Sequence, residues 1–218
     1  MKFYILNRVK TSELKTYTDY IEVEPINLGE APKCDVCGQY IGSLAWLPPF
    51  RVQIETFGDF GDIVLGPSID LLISDRLKDL FESNQLIGFL GFEPVEVVRV
   101  KTHKREVKKP PTYFHVNIMH SNAEIDLVQS NFVRKEQSPI CPTCNWGGIV
   151  KRAKQIILKP QTWSGEDVFI AKGLYGMIIT SERFYDLFMQ NGLTGAVLTP
   201  AEEYGFDYYP WENKKKKQ

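Results

Sequence analysis

The sequence predicts an α+β fold, mostly antiparallel β, in which two copies of a strand–helix–strand unit are joined by a four-cysteine site. Three observations carry this. All four cysteines lie in two Cys-x-x-Cys turns, "CDVCG" at 34–38 and "CPTCN" at 141–145. The same offset of 107 separates Cys34 from Cys141 and Cys37 from Cys144. The segment 57–88 aligns on 164–195 at that offset without a gap, with eleven of 32 positions identical. A constant offset shared by a cysteine turn and a later segment is the mark of an internal duplication.

Taken in order, "KFYILN" and "TYTDYIEVEPI" read as strands by their branched and aromatic residues. The first cysteine turn follows. Then comes "DLLIS", a strand, and Ser74 stands where a helix N-cap belongs, with Asp75 in the first turn facing the positive end of the helix dipole. Leu77, Leu80 and Phe81 recur at helical spacing. Gly88 follows the helix, and "FLGFEPVEVVRV" is the returning strand. The second copy repeats this with "GMIIT", Ser181, Glu182, the spacing of Phe184, Leu187 and Phe188, Gly195 and "AVLTPAEEYGF". Arg76 and Asp79, at i and i+3, read as a local ion pair. Between the copies, "VKTHKREVKKPP" is a basic, Pro-terminated connector, and "TYFHVNIMH" and "AEIDLV" read as two more strands. The expected organisation is one domain over 1–213, with repeats at about 34–98 and 141–207, and a Lys-rich disordered tail at 214–218.

The cysteine pairs admit three readings. Two Cys-x-x-Cys turns brought together form a tetrahedral four-thiolate zinc site, closed and structural. The residue after each second cysteine, Gly38 and Asn145, suits the left-handed backbone such a turn needs. The metal ligands are then Cys34, Cys37, Cys141 and Cys144, a zinc knuckle from each copy. Sequence patterns of this kind space the pairs by about 15–20 residues, and duplication accounts for the longer gap. A redox dithiol would follow a strand and open a helix; "NLGEAPK" before Cys34 and "WGGIV" after Cys144 fit neither. A catalytic zinc would take a histidine or carboxylate ligand, and His103, His115 and His120 have no ligand spacing to any cysteine.

Composition narrows the function. An apolar share of 43% is that of a folded soluble protein, and a net charge of −1 provides no global field for nucleic acid. No run reaches the length of a membrane span, and the N-terminus lacks a signal-peptide core; a cytoplasmic setting is expected. Phosphate loops, dinucleotide fingerprints and nucleophile elbows are missing, so no catalytic residue and no small-molecule substrate are expected, and a binding role is favoured. The segment "PAEEYGFDYYPWE" sets aromatics among acids. Glu202, Glu203, Tyr204, Asp207 and Trp211 are candidates for a partner contact; the competing reading is a final strand with its aromatics inward and its acids in water.

"CDVCG" with "CPTCN", then "GPSIDLLISDRLKDLFESNQLIGFLGFEPVEVVRVK", "PPTYFHV", "TWSGEDVFIAKGLYGMIITSERFYDLF" and "LTPAEEYGFD", together resemble the myxobacterial-type double-CXXCG motif family, over about residues 3–208. The second motif departs from the pattern with Asn145 in place of glycine. The resemblance implies an immunity protein, without enzymatic activity, that binds and neutralises a cognate polymorphic, contact-delivered toxin. The alternative is a zinc-ribbon-like nucleic-acid-binding regulator, supported by the cysteine pairs and the basic connector and opposed by the weak net charge; a thiol oxidoreductase is a third.

Overall fold

The computed structural model describes residues 1–9, 17–66, 69–102, 109–136 and 138–209. Trp211, His103 and the tail at 214–218 lie outside them. The strands are β1 (Phe3–Arg8), β2 (Thr18–Glu22), β3 (Asn27–Leu28), β4 (Trp46–Leu47), β5 (Arg51–Thr56), β6 (Ile63–Leu65), β7 (Leu71–Ser74), β8 (Phe89–Pro94), β9 (Glu96–Thr102), β10 (Tyr113–Glu124), β11 (Val133–Arg134), β12 (Val150–Ala153), β13 (Val168–Lys172), β14 (Ile178–Ser181), β15 (Ala196–Pro200) and β16 (Phe206–Asp207). Two α-helices, α1 (Asp75–Ser83) and α2 (Glu182–Gln190), complete the set among the described residues, with two short 3-10 turns.

Eight strands form the main sheet, in the order β15-β1-β14-β13-β10-β7-β6, with β8 also on β10. Pairings are antiparallel except β10 with β13 and β5 with β9. Side chains alternate across this sheet, as the period of two requires. Leu6, Ile63, Leu71, Ile73, Val116, Val168 and Ile170 face the helices and pack on Leu77, Phe81, Phe184, Leu187 and Phe188. Their neighbours face the other way. Val64, Leu72 and Tyr113 meet the small sheet β2-β5-β9 through Val52 and Ile54. Phe3, Ile5, Phe169 and Ile179 meet Val150, Ala153, Ile156 and Leu158. Each large side chain buried in this way contributes roughly 1.5–3 kcal/mol of transfer free energy.

The helices are built alike. Ser74 Oγ accepts the Leu77 N–H and Ser181 Oγ the Phe184 N–H, both at 3.2 Å. At the other end Asn84 and Asn191 each donate a side-chain amide to the carbonyl of Leu80 and Leu187, both at 2.8 Å. Each cap hydroxyl also donates to a buried carboxylate, Ser74 to Asp62 at 2.8 Å and Ser181 to Asp167 at 2.6 Å. Those carboxylates then reach the opposite unit. Asp62 accepts the Thr194 N–H at 2.9 Å and Asp167 the Ile87 N–H at 3.0 Å. The arginines cross as well: Arg76 donates to the Asn191 carbonyl and Arg183 to the Asn84 carbonyl. These contacts made by one unit on the other are returned, apart from an added Thr194 hydroxyl bond to Asp62.

Three expectations are corrected. Arg76 does not pair with Asp79; it lies 3.5 Å from Asp62, as Arg183 lies 3.3 Å from Asp167, because a buried carboxylate needs a cation more than an exposed one does. "AEIDLV" is not a separate strand: β10 runs on through Glu124, and Asp126 then accepts the N–H groups of Val128 and Gln129 in a tight turn. The gapless alignment holds at 107 for β7 and α1 against β14 and α2, but the preceding strands match at 105. Ile63 pairs with Ile73 and Val168 with Thr180, so the β13–β14 connection is two residues longer than its counterpart.

Candidate metal centre

Residues 34–38 and 141–145 fold as two identical turns. Gly38 N–H donates to the Cys34 carbonyl at 2.8 Å and Asn145 N–H to the Cys141 carbonyl at 2.9 Å. Cys34 N–H bonds the Gln39 carbonyl and Cys141 N–H the Trp146 carbonyl, at 2.9 and 2.7 Å. The chain must turn left-handed to close each one, and it does so at Gly38 (φ 71°) and Asn145 (φ 57°).

The four sulfurs then meet. Cys34 Sγ is 3.9 Å from Cys141 Sγ and Cys37 Sγ 3.6 Å from Cys144 Sγ. All four lie within 4.8 Å of one another, and all are free thiols. A tetrahedron with metal–sulfur bonds of about 2.3 Å has edges of about 3.8 Å, so the spacing and the donor chemistry fit a thiophilic cation such as zinc. Cys34, Cys141 and Cys144 are buried and Cys37 is exposed. Ile41, Trp146 and Tyr175 pack around them.

Electrostatics agree. The N–H groups of Cys144 and Thr143 draw the Cys141 thiol down to about 6, and those of Cys37 and Val36 lower Cys34. Burial pushes Cys144 up to about 12. The turn N–H groups thus favour the thiolate at Cys34 and Cys141, and burial opposes it at Cys144. The longer β13–β14 connection carries Tyr175, whose hydroxyl donates to the Cys144 carbonyl at 2.9 Å and ties the cysteine site to the main sheet.

The proposed partner segment is divided. Glu202 and Glu203 are exposed on a 3-10 turn (Ala201–Glu203). Tyr204 is half-buried against the core beneath β1 and β13. Asp207 sits in β16, which pairs with β12, and its carboxylate is 3.9 Å from Arg152. The segment is therefore no single strand; Pro200 and the turn break its period. Asp62 and Asp167 were missed from the sequence. The signal was the match of "GDIVL" to "EDVFI", which the gapless alignment hid.

The described residues form a β-rich scaffold in which two cysteine turns close on each other. Residues 62–203 match the profile of the immunity protein family Imm11, which is more than half of the chain, and the chain belongs to that family. The matched stretch holds both helices and the second cysteine turn, and leaves the first outside. No curated protein matches the chain. Among the described residues no helix is long and apolar enough to cross a membrane.

Proposed function

We propose that this protein is an immunity protein that neutralises one cognate toxin by binding it, without catalysis, in the cytoplasm of the cell that makes both. The observation that carries the reading is the family match over residues 62–203. Neutralisation by binding needs a rigid scaffold and slow dissociation, and the reciprocal contacts between the two helical units supply rigidity. These units are the products of an internal duplication, within one domain spanning 1–213. The exposed acids Glu202 and Glu203, with Tyr204 and Asp207 beside them, form part of the toxin-facing surface and suit a basic partner.

One zinc ion is held by Cys34, Cys37, Cys141 and Cys144. When bound it supplies a structural cross-link between the two cysteine turns and offers no open position. The support is the close approach of the four sulfurs, all within 4.8 Å of one another, and the paired turns. Two experiments test the proposal. Expression of the chain should protect cells from the toxin encoded beside its gene, and no protection would overturn the immunity reading. Elemental analysis should return about one zinc per chain; a metal-free protein with a clean disulfide would overturn the zinc assignment.

A further inference from the structure

A cavity of about 260 Å³ opens where β10 changes partner. β7 pairs with β10 as far as Val116, and β13 takes over at Met119. Ile69, Asp70 and Ile170 line the gap left between the two, and Pro32, Ser43, Leu44 and Leu90 rim it. Most of the wall is apolar, and Leu44 and Leu90 are large exposed side chains at its mouth. Ser43, Asn117 and His120 are polar members of the lining, and Asp70, whose side chain is 17% exposed, is its one acid.

Asp70 has no strong partner. Among the described residues no lysine or arginine lies within ion-pair distance of it, and the group at that range is His115, with Nε2 at 3.7 Å. His115 is 1% exposed, stacks on Phe50, and has no hydrogen-bond partner for either ring nitrogen. The Asp70 carboxylate thus lines the cleft, while the orphaned imidazole beside it is buried and takes no part in the lining. The negative potential is felt nearby: burial, then the Asp70 charge, raise the Glu22 carboxyl above the usual range. Charge left uncompensated in a partly desolvated cleft is a strong recognition point for a cation.

We propose that this cleft receives an arginine side chain from the protein partner, its guanidinium on Asp70 and its stem along Leu44, Ile69 and Leu90. A guanidinium presents paired donors to a carboxylate, and its weak hydration suits an apolar wall. The methylene stem covers apolar surface that a small metal ion would leave bare. A residue of this type in a central pocket is a typical interface anchor. The proposal rests on the immunity reading for the identity of its partner, but its test does not.

The test is a titration of the full-length protein with N-acetyl-arginine methylamide, followed by the NMR amide signals of Leu44, Asp70 and Asn117. Saturable shifts are expected, with a Kd of roughly 1 mM, the range for a ligand of this size. The neutral citrulline analogue should bind at least tenfold more weakly, and Asp70→Asn should lose the arginine response to the same extent. Equal response to arginine and citrulline analogues, or none to either, would overturn the proposal. So would free arginine binding tenfold tighter than the blocked form, since the site would then serve a free amino acid. Should Asp70→Asn fail to fold, the arginine–citrulline comparison on the unmodified chain decides alone. Failure here leaves protection against the toxin untouched, and failure of protection leaves this titration untouched.

Discussion

Ser74 and Ser181 each hold two things at once, a helix N-terminus and a buried carboxylate. Ser74→Ala and Ser181→Ala should each cost about 1–2 kcal/mol in urea denaturation, a cap together with a lost hydrogen bond. Asp167→Ala should cost more, about 3 kcal/mol, because the Ile87 N–H and the Ser181 hydroxyl lose a buried acceptor together. If Asp167→Ala proves no worse than Ser181→Ala, the reciprocal contacts are not what joins the units. A pH effect follows from Glu124. The Lys159 ammonium, 2.8 Å away, and to a lesser degree its other neighbours hold this carboxyl below the usual range. A depressed carboxyl contributes stability above its unfolded pKa and loses it as pH falls through the lower folded value. Glu124→Gln should therefore cost up to about 1 kcal/mol at neutral pH and nothing in strong acid, as read from denaturation at both. The caps were legible in the sequence because a cap acts within three residues. Asp62 and Asp167 were not, because their partners lie far along the chain and only the folded register brings them near.

The two helical units are the elements on which the fold turns, and their legibility differs along their length. The strand and helix after each apolar run could be read from spacing and capping residues. The strand before could not, since β13 and β14 are joined by two extra residues that a gapless comparison absorbs as mismatch. The longer connection brings Tyr175 to Cys144. Gly88 and Gly195 mark the join between units. A Cβ at Gly88 would collide with the Val168 carbonyl and one at Gly195 with that of Ile63, and both glycines have positive φ. Gly88→Ala or Gly195→Ala should destabilise by about 3 kcal/mol or more, and equilibrium unfolding checks it. The cysteine turns were readable because a Cys-x-x-Cys turn followed by a left-handed residue is a local pattern. Their meeting was readable only from the shared offset. Cys34→Ser should lower the melting temperature by about 10 °C or more and release the metal, whereas an equal melt with and without a chelator would deny the ion a structural part.

Across the whole molecule, what the sequence conveyed least was the surface. The segment 200–209 separates into a turn bearing Glu202 and Glu203 and a short strand that packs inward, and the cleft at Asp70 exists only because β10 changes partner midway. Neither is visible in residue spacing, since both arise from pairings between distant strands. Charge reversal of the exposed pair, Glu202→Lys with Glu203→Lys, should weaken toxin binding about tenfold and leave the melting temperature within a few degrees; unchanged binding would place the interface elsewhere. The central claim is that this fold acts by occupying a toxin. Titration of the purified chain against the toxin domain encoded beside it, by calorimetry, addresses that claim most directly. The account predicts a saturable one-to-one complex with a Kd of roughly 10 nM or below, in the range of tight, specific protein complexes, and loss of toxin activity at equivalence. A toxin that stays fully active with a saturating excess of the chain would contradict it.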